Sequence, residues 1–257
     1  MSSAITVYIS RDATSRSLGS DALATALQRQ ALECNLDLNI VRTGSRGMFW
    51  LEPMIEVGTD AGRVAYGPVD RELLPQLIEA GLLAGNETCP GYLGDPETIP
   101  FFAEQQRLSF ARVGVIDPVN IEDYQSHGGL AGLRNALAQS PQRIVDTVKD
   151  SGLRGRGGAA FPTGIKWQTV HDAPANNGHK YIVCNADEGD SGTFADRMLM
   201  EGDPLSLIEG MIIAGLAVGA SRGYIYLREE YPNAHTILNE AITAAEHANV
   251  LGENILN

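Results

Sequence analysis

The sequence predicts an α/β protein of two domains, and three observations carry that reading. Short β-rich runs alternate with helix-length amphipathic stretches along the chain. The length, 257 residues with 44% hydrophobic content, suffices for one large core or two ordinary ones. A breaker-dense stretch at 84–100, holding Gly85, Pro90, Gly91, Gly94, Pro96 and Pro100, divides the pattern and reads as a linker.

Residues 1–83 form the first expected domain. Ile5–Ile9 is β-rich, and Ser20 with Asp21 can cap a helix reaching Asn35. Leu23, Ala26, Leu27, Ala31 and Leu32 would share its buried face. Leu38–Val41 is a second strand. Met54–Val57 and Arg63–Tyr66 flank Gly58-Thr-Asp-Ala-Gly62, a hairpin signature. Asp70 caps a helix over Leu73–Ile78, which Gly81 closes. The order β-α-β-β-β-α suits several small α/β folds.

Residues 101–257 form the second. Asn120–Gln125 and Leu130–Leu137 are short helices. Ser140-Pro141 starts another, with an N-cap hydroxyl ahead of proline at the first helical position. A glycine-rich loop and a helix around Ile165–Val170 follow. Tyr181–Cys184 reads as a buried strand, Leu205–Ala220 as a helix, Gly223–Leu227 as a strand and Pro232–His247 as a helix.

Composition excludes several functions. A formal net charge of −13, spread evenly along the chain, disfavours nucleic acid, whose phosphates demand clustered cations. The longest nearly uncharged apolar stretch, Gly210–Ala220, is short of the ~20 residues of a membrane helix. Met1-Ser-Ser-Ala leads into a strand without a basic or apolar leader, so no secretory signal is expected. Cys34, Cys89 and Cys184 form no CxxC, which argues against a zinc ribbon or local cluster ligands and suits a reducing cytoplasm. The five histidines share no metal-ligand spacing, and Glu229-Glu230 reads as a solvated pair.

Two segments can carry chemistry. The first is Gly152-Leu-Arg154-Gly155-Arg156-Gly157-Gly158-Ala-Ala160-Phe161-Pro-Thr-Gly164-Ile-Lys166-Trp167. Glycines let backbone N–H groups approach an anion, and Arg154, Arg156 and Lys166 concentrate cations in a chain with only three lysines. Gly155-x-Gly157-x-x-Ala160 satisfies the dinucleotide fingerprint, but the loop follows a helix and not a strand, which rules out an ordinary Rossmann turn. Contact with a flavin or nucleotide in another architecture is the expectation; a surface turn is the bland alternative. The second is Cys184-Asn185-Ala-Asp187-Glu188-Gly-Asp190-Ser-Gly-Thr-Phe-Ala-Asp196-Arg197. Its four leading polar groups follow a strand, where ligands gather in α/β domains. A calcium loop is disfavoured by the preceding strand, and helix capping by Ser191 or Thr193 is compatible with a site.

Together with Arg222–Pro232, these motifs resemble the family of FMN-binding flavoprotein subunits of respiratory NADH dehydrogenase and their relatives in NAD-reducing hydrogenases and formate dehydrogenases. The resemblance covers roughly residues 100–257. It is closest to the beta subunit of soluble NAD-dependent molybdenum formate dehydrogenases, because DEGDSGTFADR stands where the respiratory branch has DExEPGTxKDR. The resemblance implies FMN and NAD(H) in one cavity, held by Arg154, Gly155, Arg156, Gly157, Gly158, Gly164, Lys166, Asn185, Asp187 and Asp190. It implies Phe161 near the adenine and Glu188 as the catalytic-site carboxylate beside the nicotinamide. It also implies a thioredoxin-like first domain, which lacks cysteines at Arg11–Gly19 and Thr43–Pro53 where a [2Fe–2S] cluster would be held. Ala160 departs from a frequent glycine. The family continues past the equivalent of Asn257 into a [4Fe–4S] domain, so the chain is expected to be its N-terminal, truncated part. Implied partners are a molybdenum- and iron–sulfur-containing catalytic subunit and a small [2Fe–2S] subunit. The alternative is a non-catalytic docking subunit with a vestigial flavin site.

Overall fold

The structure is a computed structural model that describes residues 4–175 and 178–256. It divides into two compact units, residues 1–120 with 197–203, and residues 121–196 with 204–257.

The first unit is built on a five-stranded sheet of order β2-β1-β3-β4-β5. β1 (Ile5–Ser10) and β2 (Leu38–Thr43) are parallel. Short helix α1 (Ala13–Ser17) and α2 (Ser20–Glu33) form the crossover between them. β3 (Ile55–Thr59) runs antiparallel to β1 and pairs with β4 (Gly62–Tyr66) as the expected hairpin. The order 2-1-3-4, with β3 opposed to its neighbours, is that of a thioredoxin-like sheet. Its core gathers Val7, Ile9, Leu23, Leu27, Ile55, Val57 and Tyr66, with Leu74 and Leu77 from α3 (Leu74–Glu79). The expected α2 face is buried at Leu23, Leu27 and Ala31, but Leu32 is 71% exposed. Gly19, at positive φ, precedes α2, and no side chain caps it. Asp21 instead pairs with Arg16 and Arg42, which together lower its carboxyl pKa against the opposing effect of burial.

Residues 84–100, which the breakers mark as a linker, contribute β5 (Tyr92–Gly94), which pairs antiparallel with β4. The breakers shape turns around this short strand: Gly91 and Gly94 both adopt positive φ. Tyr92 packs edge-on against Tyr66, and Cys89 is buried. α4 (Pro100–Ala103) follows, and residues through Asn120 stay with this unit. Long-range contacts hold them there: Arg63 donates to the Val115 carbonyl at 2.6 Å, and Arg112 pairs with Asp203 at 2.9 Å. Gly202 packs so closely on Val113 that an added Cβ would fall 2.6 Å from it.

The two loops where cluster cysteines would stand are filled by buried polar side chains. Asp12, Ser15, Ser45 and Glu52 lie there, and Ser45 Oγ donates to Glu52 Oε1 at 2.9 Å. Burial pushes the Glu52 carboxyl pKa up, opposed by hydrogen bonds from the Met54 N–H and the Ser45 hydroxyl. Iron and zinc analysis of the purified chain after anaerobic reconstitution is expected to give background values; a stoichiometric cluster in this unit would sink the expectation.

The second unit opens with α5 (Ile121–Ser126), α6 (Ala131–Leu137) and α7 (Pro141–Asp150). Ser140 caps α7 as its sequence suggests, accepting from the Arg143 N–H. α8 (Thr163–Asp172) leads to β6 (Tyr181–Ala186), which pairs in parallel with β7 (Arg222–Leu227). The chain between them begins α9 (Ala195–Gly202) and forms α10 (Pro204–Val218); α11 (Pro232–His247) follows β7. Ala136, Ile144, Val145, Ala217 and Val218 form a core with Trp167, Ile182 and Ile213. The buried Glu209 of α10 joins the helices: it accepts from the Leu130 and Leu133 N–H groups and from the Tyr124 hydroxyl. These bonds satisfy donors at the start of α6, which no cap of its own serves.

Candidate functional site

The two candidate motifs flank α8 and β6, which contacts at the carboxyl end of α8 join. Lys180, just before β6, donates from Nζ to the carbonyls of Val170 (2.7 Å) and His171 (2.9 Å). Trp167, a turn earlier in α8, packs in one cluster with Ile182 of β6. These contacts tie the carboxyl half of α8 to the start of β6; the glycine loop precedes the other end of α8, and the turn Asn185–Asp190 begins at the carboxyl end of β6. Carboxyl ends of parallel strands and amino ends of helices are both places where α/β proteins bind anionic ligands.

The glycine loop has a closed neck. The Gly155 N–H donates to the Phe161 carbonyl at 2.9 Å, the Thr163 N–H to that of Leu153 at 2.8 Å, and Arg154 bridges Pro162. The arginines stiffen it from within: Arg154 reaches the Ala160 carbonyl at 3.1 Å, and Arg156 the Arg154 carbonyl at 2.8 Å. Each bond uses one of five guanidinium donors. Ala160 sits at φ +47°, a region where glycine is at ease and alanine is strained. At the tip, a Cβ built on Gly157 or Gly158 would meet nothing within 4 Å. Packing thus does not demand bare backbone at Gly157, whereas close approach of a ligand would; Gly158 is held to glycine by its φ of +83°. Phe161 is exposed, and the Lys166 ammonium lies 5.7 Å from its ring centroid. Gly164 differs from the rest: it is buried, and an added Cβ would come 2.5 Å from Lys149 Cα and 2.7 Å from Lys149 N. It belongs to the α7–α8 crossing.

The strand end is arranged with equal economy. β6, expected from its apolar run to be a buried strand, is buried on one face at most: it alternates with the pleat, so Tyr181, Val183 and Asn185, with Tyr224 and Tyr226 of β7, occupy an exposed face of the sheet. Asn185, opposite Tyr226 in register, accepts from the Asp187 N–H through Oδ1 at 3.1 Å. Asp187 and Asp190 are exposed. Glu188 is 6% exposed and turned inward: Oε1 accepts the Asp196 N–H at the start of α9, and Oε2 accepts the Tyr231 hydroxyl, both at 3.0 Å. Burial, then the nearby Glu188, raise the Asp196 carboxyl pKa; burial, then Asp196, raise that of the Cys184 thiol.

Sequence reasoning gives Arg228, Glu230 and Tyr231 no role of their own. Arg228 donates to the Glu188 carbonyl and is gripped by both oxygens of Glu230 at 3.2 and 3.0 Å. Their position immediately after the strand parallel to β6 is the signal that could have marked them. Among the described residues, no group of three or more His, Cys, Asp or Glu is placed to hold a metal. A loop of bare backbone and cations has the chemistry to receive a phosphate, and the polar Asn185–Asp190 turn has groups that can hydrogen-bond ring or ribose edges.

Residues 148–255 match the Nuo51 FMN-binding domain family. Over 152 residues the chain is 51% identical to the NADP-reducing hydrogenase component HndC of Solidesulfovibrio fructosivorans, covering 59% of this chain and 30% of that one. Over 137 residues it is 50% identical to an NADH-quinone oxidoreductase subunit of Aquifex aeolicus (strain VF5), covering 53% and 32%. The chain thus spans about a third of the length of these relatives. Among solved structures, an air-oxidized NAD+-reducing [NiFe]-hydrogenase aligns over 96% of this chain and 41% of its own, at 25% identity and a TM-score of 0.43.

Proposed function

We propose that this chain, whose residues 148–255 match the Nuo51 FMN-binding domain family, is an electron-transfer subunit that binds FMN and NAD(H) at the carboxyl end of β6. The observation that carries the reading is that an open glycine loop with cations ahead of α8 and a polar turn at the carboxyl end of β6 both lie in the segment that matches an FMN-binding domain. The residues fit the cofactor. Gly155, Gly157 and Gly158 offer backbone N–H groups to the phosphate, and Arg154, Arg156 and Lys166 offset its charge. Asn185, Asp187 and Asp190 supply hydrogen-bonding groups for ring and ribose, and Phe161 an exposed aromatic face for adenine. Gly164 serves the site by packing α8 against α7. Bound FMN supplies the hydride and single-electron chemistry; the protein supplies placement and electrostatics. No general base is needed at the nicotinamide carbon, so Glu188 acts as a fixed negative charge beneath the turn and not as a proton carrier.

The DEGDSGTFADR sequence supports a place in an NAD-dependent formate dehydrogenase, beside a molybdenum- and iron–sulfur-containing subunit and a small [2Fe–2S] subunit. A [4Fe–4S] cluster would lie in sequence beyond this chain. Among the described residues no helix is long and apolar enough to cross a membrane, and three free cysteines support a reducing, cytoplasmic setting. The test is titration of the purified chain with FMN, followed by quenching of flavin fluorescence, then bleaching of the bound flavin by NADH. Saturable one-to-one binding supports the reading; its absence, in this chain and in a longer one, would favour a docking subunit. Formate-dependent bleaching in the purified complex tests the finer assignment.

Glu188→Gln tests the electrostatic role. The amide oxygen can accept the Asp196 N–H while its N–H₂ donates to the Tyr231 oxygen, so the turn survives and one charge is lost. The flavin midpoint potential is expected to rise by some tens of millivolts, on the order of the effect of one nearby charge at an effective dielectric constant of ~20. An unchanged potential and unchanged NADH affinity would place Glu188 outside the site.

A further inference from the structure

We propose that Tyr231 and Arg228, in the turn between β7 and α11, are positioning residues: together they latch Glu188, and with it the Asn185–Asp190 turn, in the geometry that receives the cofactor. The proposal deepens the FMN reading above and rests on it for its ligand.

β6 and β7 end level with each other, Ala186 pairing with Leu227. The chain leaves β6 into the polar turn and leaves β7 into Arg228–Tyr231. The second turn grips the first at two points. The Arg228 guanidinium donates to the Glu188 backbone carbonyl, and Glu230 holds that guanidinium in a two-point fork. Arg228 also stands 5.1 Å from the Tyr231 ring centroid, so ring and guanidinium fix each other. Tyr231, itself 8% exposed, donates its hydroxyl to Glu188 Oε2. The other carboxylate oxygen is held by the first turn of α9. Three acceptors of one residue are therefore fixed by groups on two other segments of the unit.

A buried carboxylate in the latch costs desolvation, which its donors must offset. Its use is geometric. With Glu188 immobilised, Asn185 and Asp187 on one side and Asp190 on the other have fixed starting points. A ligand then meets a preorganised turn and loses less entropy in ordering it.

Tyr231→Phe keeps the ring and removes one donor. Arg228→Met removes the carbonyl bond and the fork, and Arg228→Lys restores a single donor. Ile144→Val, in the core, controls for loss of stability without contact to the turn. Two measurements are made on the whole chain: amide hydrogen exchange of 187–196 without ligand, and the FMN dissociation constant. In Tyr231→Phe and Arg228→Met, exchange across 187–196 is expected to rise about tenfold and FMN affinity to fall by about the same factor, as loss of a hydrogen bond to a charged or buried group implies. Arg228→Lys should recover part of both, and Ile144→Val should change neither selectively. Unchanged exchange at 187–196 overturns the latch. Faster exchange with unaltered FMN affinity overturns its positioning role. If the wild-type chain binds no FMN in any form tested, the flavin reading fails, and with it the positioning role, while the exchange result still judges the latch.

Discussion

Gly157→Val is expected to weaken FMN binding by more than about tenfold while leaving the melting temperature unchanged. The two halves of that expectation have separate causes. Within the protein, a Cβ at Gly157 meets nothing within 4 Å, and its φ lies outside the left-handed region. The neck of the loop, built from Gly155–Phe161 and Leu153–Thr163 hydrogen bonds, does not involve the tip. The apo fold should accept valine there. A ligand phosphate resting on the tip backbone would instead meet a branched side chain, and overpacking of a close contact costs about 1–3 kcal/mol, or a factor of ten to a hundred in affinity. Circular dichroism melts and flavin fluorescence titrations read the two quantities independently. Equal FMN affinity in the variant would show that the loop is a surface turn.

Gly164→Ala is expected to do the opposite, lowering stability through the fold itself. One methyl group would stand 2.5 Å from Lys149 Cα and 2.7 Å from its N, atoms of the α7 backbone that cannot rotate aside. α7 and α8 must separate, opening the cluster of Ile144, Val145 and Trp167. The cost is about 1–3 kcal/mol, which in a domain of this size lowers the melting temperature by roughly 5 °C or more. Differential scanning calorimetry checks it. A variant that melts like wild type would show that the helices can part without penalty, and would return Gly164 to the direct ligand contacts. The contrast between two glycines seven residues apart separates binding backbone from packing backbone in one motif.

What the sequence determined by itself is what short-range physics controls. Ser140-Pro141 and Pro232 mark helix starts because capping and the proline ring act within one turn. The Gly58–Gly62 hairpin forms because its residues suit a reversal. Both chemistry-bearing motifs were visible as runs of glycine, cation and carboxylate. What only the tertiary structure decided depends on which distant segments meet. Leu32 fits the helical period but ends exposed. Residues 84–100 gain a strand from β4, and 101–120 are held by Arg63 and Arg112. Gly164 is indistinguishable from Gly157 until Lys149 is placed beside it. Glu188 looks like its exposed neighbours Asp187 and Asp190 until Tyr231, 43 residues on, turns its carboxylate inward. The Lys180 contacts with the end of α8 are likewise invisible in the sequence, because hydrogen bonds and packing select partners by proximity in space and local sequence encodes only the groups that wait for them.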